Sequence, residues 1–159
     1  MSTVSKPGLL KRALPPPALA VLIGLLMWLL AEPSPDFAMA SWLRYPLLAL
    51  LCISGVVMDS TSVFTFLRRK TVLNPYAPHK ASTLVLTGAF RYSRNPMYLG
   101  LVLLLSAWGL YLSAWWSVAG PIAFFLYIDR FLIPHEEAAL KLVFGEPYLQ
   151  YLKDVRRWL

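Results

Sequence analysis

The sequence predicts an all-α fold, an integral membrane helical bundle of about four transmembrane helices with a cytoplasmic loop and C-terminal amphipathic helices. Three observations predict it. Of the 159 residues, 58% are hydrophobic and only 14% charged, and the mean hydropathy is +0.57, well above the apolar share of a soluble domain. The apolar residues come in stretches long enough to cross hydrocarbon. The basic residues, which leave a net charge of +7, fall between those stretches rather than in one patch. In a soluble chain such a charge would suggest nucleic acid. Here it marks which side of a bilayer each loop occupies, and no nucleic-acid partner is expected.

The first apolar stretch, Ala13 to Ala31, follows Lys11 and Arg12. A secretory signal also has a basic start and an apolar centre, but Ala31-Glu32-Pro33-Ser34 is a poor cleavage site and the chain stays apolar beyond it. It reads as helix one, with Pro15-Pro16-Pro17 at its entry, where missing N–H donors cost little. From Tyr45 to Leu67 the only charged residue is Asp59, and roughly twenty residues suffice to cross ~30 Å of hydrocarbon, so this is helix two. No residue between Asn95 and Ile128 is formally charged, and a helix of that length would run about 51 Å, too long for one crossing. The run must fold back once. Tryptophan favours the headgroup level, so the tip belongs at Ser113–Trp116, between helix three at Pro96–Leu112 and helix four at Trp115–Leu132. Trp108, Tyr111, Trp115 and Trp116 then form an interfacial aromatic belt.

Four crossings put both termini and the loop Arg68–Arg94 on one side. That side carries Lys6, Lys11, Arg12, Arg68, Arg69, Lys70, Lys80, Arg91, Arg94, Arg130, Lys141, Lys153, Arg156 and Arg157, leaving only Arg44 opposite. The positive-inside rule makes it the cytoplasmic face of a bacterial-type inner (plasma) membrane. Chemistry is expected there, because the other side offers Glu32, Asp36 and almost nothing else. A single cysteine, Cys52, excludes an internal disulfide and a CxxC site, and with only His79 and His135 as histidines no metal is expected. His79 reads as a solvated loop residue.

The chain is one membrane domain, 1–159, comprising a two-helix half (1–70), a cytoplasmic loop (71–96), a helical hairpin (97–133) and a C-terminal segment (134–159). The loop holds the turn signals Asn74-Pro75, Ala77-Pro78 and Thr87-Gly88 around a β-branched piece at Thr83–Thr87. Its length and apolar content point to function rather than disorder. Pro134-His135-Glu136-Glu137 opens an amphipathic helix through Phe144, which Gly145 ends. Tyr148, Tyr151, Leu152, Val155, Trp158 and Leu159 then recur at helical spacing, as expected of a tail lying on the headgroup layer.

Two clusters are not explained by topology alone. In Arg91-Tyr92-Ser93-Arg94-Asn95-Pro96-Met97-Tyr98-Leu99-Gly100, Asn95 suits an N-cap and Pro96 the first helical position. Free N–H groups there, flanked by Arg91 and Arg94, make an anion site at the membrane surface; equally, the two arginines serve the positive-inside rule. Glu136-Glu137 is a pair of adjacent carboxylates, a frequent helix cap as well as a binding element. Asp59, ionisable within an apolar span, draws functional interest by default, but it also lies close enough to Arg68 to reach a basic partner or water. Asp129 next to Arg130 reads as an interfacial pair.

In order, Arg94-x-Pro96-x-Tyr98-x-Gly100, an apolar hairpin, Glu136-Glu137 and Phe144-Gly145-x-x-Tyr148-x-x-Tyr151 resemble the isoprenylcysteine carboxyl methyltransferase and phospholipid methyltransferase superfamily of integral membrane enzymes. The resemblance covers about Thr83 to Leu159. It implies an S-adenosyl-L-methionine-dependent methyltransferase whose cofactor pocket lies between the hairpin's cytoplasmic ends and the C-terminal segment. Carried over residue by residue, it implies cofactor binding by Tyr92, Asn95, Pro96, Tyr98, Leu99, Gly100, Glu136, Glu137 and Tyr148, with Arg94 and Glu137 catalytic. The acceptor it implies is lipidic or amphiphilic, a small molecule or a prenylated group, entering from the bilayer.

The chain departs from the family pattern in three places. Asn95 stands for a usual histidine, which keeps hydrogen bonding but removes a titratable group. Asp154 stands for an arginine that would help bind a substrate carboxylate, and Arg156 for the proline after Val155. The acceptor therefore stays open between carboxylate, amine and thiol. A carboxylate needs no base, whereas an ammonium or thiol must first lose a proton, for which Glu137 or His135 would serve. A non-enzymatic four-helix membrane protein, a small transporter or assembly factor, also accounts for size and charge but leaves the Arg, Tyr and Glu clusters without a role.

Overall fold

The computed structural model describes residues 14–32, 36, 38–69 and 84–159. The expectations for Lys6, Lys11, Arg12, Pro33, Ser34, Lys70, Lys80, His79, the turns at Asn74-Pro75 and Ala77-Pro78, and most of the loop fall outside them. The described residues are almost wholly helical, with no strand among them; Asp36 and Ala114 form one isolated antiparallel bridge. Helix α1 spans Pro16–Ala31, α2 Ser41–Arg69, α3 Pro96–Leu112, α4 Ala119–Tyr127, α5 Ile133–Phe144 and α6 Glu146–Asp154.

Two helical stretches are long and apolar enough to cross a membrane, Ser41–Arg68 and Trp115–Phe144, while α1 and α3 are apolar throughout but shorter. Three hydroxyls inside α2 bond to its own backbone, among them Ser62 Oγ, which donates to the Met58 carbonyl at 2.6 Å, and Thr65 Oγ1, which donates to that of Thr61 at 2.7 Å, as Thr61 does to that of Val57. Helices α2 and α3 cross with backbones touching. A Cβ on Gly55 would lie 3.0 Å from the Gly100 carbonyl oxygen, and one on Gly100 would lie 3.0 Å from that of Gly55. Small residues permit such an approach where water gives no hydrophobic drive between helices.

Arg44, the one basic residue expected on the far side, has a structural task. Its Nε donates to the Leu110 carbonyl at 2.9 Å and its guanidinium also reaches that of Tyr111. These belong to the last turn of α3, where carbonyls lack intrahelical partners and the helix dipole favours a cation. The hairpin turns where expected. Ser113 takes a left-handed conformation (φ 55°) and its N–H closes on the Gly109 carbonyl at 3.1 Å. Tyr111, Trp115 and Trp116 are exposed around this tip, and Trp108 stacks on Tyr111 with ring centroids 5.3 Å apart.

Three expectations are corrected. The helix after the tip does not stop at Leu132 to restart at Pro134, because the chain stays helical from Trp115 to Phe144. Pro134 has no N–H to give to the turn before it, and a widened π turn at Ile128–Leu132 absorbs the missing bond without breaking the helix. Helical spacing does not carry through to Leu159 either; α6 ends at Asp154 and Val155 is extended. Trp158 packs on Phe125, ring centroids 4.6 Å apart. Finally, Arg68 lies over the Phe64 ring at 4.3 Å, while Asp59 packs on Gly100 with its Oδ1 buried and without a hydrogen-bond partner.

The core gathers Ala20 and Met27 of α1, Leu105 of α3, Phe124 of α4, and Ile128, Leu132 and Ile133 from the π turn into α5. The long helix is thereby fixed against α1 and α3. That contact decides which residues of α5 face the start of α3.

Candidate functional site

The site forms where the start of α3, the first turns of α5, helix α6 and the returning C-terminal tail meet. Pro96 occupies the first position of α3, buried, where its missing N–H costs nothing. Asn95 holds the N-cap position, but contrary to expectation its side chain caps nothing. Instead its Nδ2 donates to the Arg157 carbonyl at 3.0 Å, while its own N–H donates to Ser93 Oγ at 3.1 Å. The Arg94 N–H likewise donates to the Arg156 carbonyl at 3.0 Å. The loop entering α3 thus draws the tail's carbonyls to itself, and these bonds hold residues 156–157 out of a helix.

The side chains then converge. Tyr98 Oη donates to Glu136 Oε1 at 2.7 Å. Glu137 accepts from both Nε (3.3 Å) and Nη2 (2.9 Å) of Arg157, a fork that fits a carboxylate, and also pairs with Arg94 Nη2 at 3.3 Å. The Arg94 and Glu137 side chains are only 14% and 12% exposed, so solvent screens their attraction little. Arg157 reaches on to Asp129 through Nη1 at 3.3 Å, and Asp129 also accepts from Trp158 Nε1 at 2.9 Å. The hydrogen bonds to Glu137 hold the Arg157 guanidinium's pKa above its ordinary value. Arg130 does pair with Asp129, at 3.7 Å, but from an exposed position.

Helix α6 closes the cluster with two buried tyrosines. Burial, and after it the charge of Glu137, pushes the Tyr148 phenol's pKa up; burial does the same for Tyr151, against the opposing charge of Arg94. Both stay neutral, and Tyr151 Oη donates to the Phe90 carbonyl at 2.8 Å, tying α6 to the loop before α3. One donor in this cluster is unspent. Arg94 Nε is buried with no hydrogen-bond partner, an expensive state that an acceptor atom from outside the chain would relieve.

Of the residues singled out in the sequence, Arg94, Asn95, Pro96, Tyr98, Glu136, Glu137 and Tyr148 are brought together. Leu99 sits in the first turn of α3, its N–H bonded to the Asn95 carbonyl at 3.0 Å. Gly100 faces α2 and Asp59 rather than the cluster, and Tyr92 stands apart with 72% of its surface exposed. The ring of His135 pairs with the Phe131 carbonyl one turn back. Sequence reasoning missed Arg157, Asp129 and Trp158 as members of the cluster. Their spacing carries no sign of it, because the fold joins them across about thirty residues or fewer through a bend that no local pattern announces.

A family model described as phospholipid methyltransferase matches residues 43–147 of the chain. An uncharacterized protein of Haemophilus influenzae is 46% identical over 63 residues, which cover 40% of this chain and 100% of that protein. The family match takes in α2 through α5, and so the Arg94–Gly100 element and Glu136-Glu137 together.

Proposed function

Because the chain belongs to the phospholipid methyltransferase family, and so to a family of membrane methyltransferases, we propose that it uses S-adenosyl-L-methionine to methylate a lipidic or amphiphilic acceptor at the cytoplasmic interface, as isoprenylcysteine carboxyl methyltransferases do. In this reading α1, α2, α3 and the helical stretch from Trp115 to Leu132 make four crossings of an inner membrane, with both termini cytoplasmic.

The observation that carries the reading is the convergence of Arg94, Glu137, Tyr98, Glu136 and Tyr148 at one end of the bundle. These residues fit the cofactor's chemistry. Its amino and ribose hydroxyl groups are donors that adjacent carboxylates accept, and the unspent Arg94 Nε suits an anionic group. When bound, the cofactor supplies an electrophilic methyl group on a sulfonium whose charge disappears during transfer, which apolar walls favour.

What the chain's residues do follows from their placement. Glu136 and Glu137 bind and orient, with Tyr98 holding the Glu136 carboxylate in place. Tyr148 and Tyr151 exclude water from the Arg94–Glu137 pair. Arg94 orients the acceptor's anionic group, and Glu137 or His135 takes up a proton where the acceptor must lose one. Isothermal titration of detergent-solubilised protein with S-adenosylhomocysteine tests the reading. Saturable one-site binding is expected; a folded chain that takes up none would leave a non-enzymatic four-helix protein as the better account.

A further inference from the structure

Arg157 has donors to spare. Of the five N–H groups that a guanidinium carries, three are spent: Nε and Nη2 on Glu137 at 3.3 and 2.9 Å, and Nη1 on Asp129 at 3.3 Å. Among the described residues nothing takes the second N–H of Nη1 or of Nη2. Glu137 occupies the edge of the plane formed by Nε and Nη2, so the unspent Nη2 donor lies on the next edge, turned away from that carboxylate. The side chain is 33% exposed, against 14% for Arg94, so of the two arginines it is the one a water-soluble ligand meets first.

Glu137 has an acceptor place to match. A carboxylate offers about four lone-pair sites. Its Oε1 receives Arg157 Nε and Arg94 Nη2, while Oε2 receives only Arg157 Nη2 among the described residues. An unspent donor and an unspent acceptor site thus stand side by side, on atoms 2.9 Å apart. An α-amino acid carries the opposite pair, a carboxylate and an ammonium on one carbon, and a donor and an acceptor this close meet both of its groups together.

Charge points the same way. The guanidiniums of Arg94 and Arg157 face the carboxylates of Glu137 and Asp129, and these four charges cancel. A zwitterion adds no net charge to them, whereas a lone anion or cation would. The pair is also held in place from behind, because Asn95 Nδ2 donates to the Arg157 carbonyl and Trp158 Nε1 to Asp129. Groups already fixed cost little further ordering when a ligand binds.

We infer that Arg157 and Glu137 form the subsite for the amino-acid end of S-adenosyl-L-methionine, Arg157 holding the α-carboxylate and Glu137 the ammonium. The inference rests on the methyltransferase reading above and adds a cofactor-binding residue that lies in neither sequence cluster. It leaves Arg94, the more deeply buried of the two and with its own Nε unspent, to the acceptor.

Three nucleosides separate the parts: S-adenosylhomocysteine, its decarboxylated analogue, which keeps the amine, and methylthioadenosine, which lacks the amino-acid end altogether. Calorimetric titration of the full chain in detergent gives the ratio of affinities for the first two. Wild type should prefer S-adenosylhomocysteine roughly ten- to a hundredfold, the span of a hydrogen bond to a charged group. Arg157→Gln should bring that ratio close to one, and Arg157→Lys should keep part of it, with methylthioadenosine binding as in wild type in both. Arg130→Gln removes an equal charge from an exposed position and should leave the ratio intact. A purely structural Arg157 would weaken all three ligands together at an unchanged ratio, and that result overturns the inference. So does a wild-type chain without preference, or a ratio that survives Arg157→Gln and vanishes in Arg94→Gln or Arg130→Gln. Should Arg157→Gln fail to fold, Arg157→Lys decides, because an unaltered ratio there overturns the subsite as well. A folded wild-type chain that binds none of the three removes the methyltransferase reading itself, an outcome distinct from all of these.

Discussion

Arg157 grips Glu137 through both Nε and Nη2, at 3.3 and 2.9 Å, so the third residue from the C-terminus is fastened to the carboxylate most central to the candidate site. The same guanidinium holds Asp129, and the neighbouring backbone carbonyls receive the amide of Arg94 and the side chain of Asn95. The tail is thereby a strut between α3 and α5. Lysine at 157 would keep the charge but lose the fork. Arg157→Lys should lower stability by about 1 kcal/mol, the modest end for charged hydrogen bonds because the side chain is one-third exposed. Thermal unfolding in detergent reads this directly, and a wild-type midpoint would show that the strut contributes nothing.

Glu137 accepts from two arginines, and its amide would keep the shape while losing the charge. Glu137→Gln should weaken S-adenosylhomocysteine binding by about 1–3 kcal/mol, the range for a hydrogen bond to a charged group. Calorimetric titration of the folded variant checks it. Affinity equal to wild type would return the carboxylate to a purely structural part, holding Arg94 and Arg157.

Gly100 is hemmed in by the Gly55 carbonyl and by the Asp59 carboxylate. A methyl group there has nowhere to go, and Gly100→Ala should destabilise the chain by about 1–3 kcal/mol, as over-packing does. Asp59→Ala removes one of the two obstacles, so the double variant should recover part of the loss. Unfolding midpoints of the two single variants and the double one decide it. Simple addition of two losses would mean that Asp59 and Gly100 do not press on each other.

The proposed topology has its own test. Single cysteines placed at Lys80 and Lys153 in a Cys52→Ser background should be shielded from a membrane-impermeant maleimide in intact cells, and one at Trp116 should react. The expectation follows from the basic residues, of which the proposed topology leaves only Arg44 on the far side. Labelling of Lys153→Cys from outside would invert the arrangement.

How much was legible beforehand depends on the range of the forces involved. The limits of α3 could be read because local chemistry sets them, Pro96 at one end and a tight turn near the tryptophans at the other. The Arg94 and Glu137 elements could be read as motifs, though not their pairing. Pro134 misled because proline ordinarily breaks a helix, and only tertiary packing of Ile128, Leu132 and Ile133 makes a widened turn the better solution. Asn95 misled because the capping rule considers only the nearby N–H groups that its Oδ1 could accept, whereas here the amide is oriented by its Nδ2, which donates to a carbonyl 62 positions away. Contacts of that separation leave no periodic trace in a single sequence.

Arg94 offers the sharpest test of function. Its guanidinium is paired with Glu137 at 3.3 Å, its side chain is 14% exposed, and its Nε is buried without a partner. A planar fork with one arm in use can take up a carboxylate or phosphate with the other, whereas lysine offers one point charge. Arg94→Lys should therefore keep the topology signal and the attraction to Glu137, yet lose most of the turnover. If Arg94 orients the acceptor, the loss falls on the acceptor's kinetics while S-adenosylhomocysteine still binds nearly as in wild type. If it holds the cofactor's carboxylate instead, cofactor affinity drops. The acceptor role is favoured because the family resemblance puts this arginine near the reacting centre. Were Arg94 present only to mark the cytoplasmic side, lysine would substitute freely, so a correctly inserted Arg94→Lys enzyme with wild-type turnover would dispose of both functional versions at once.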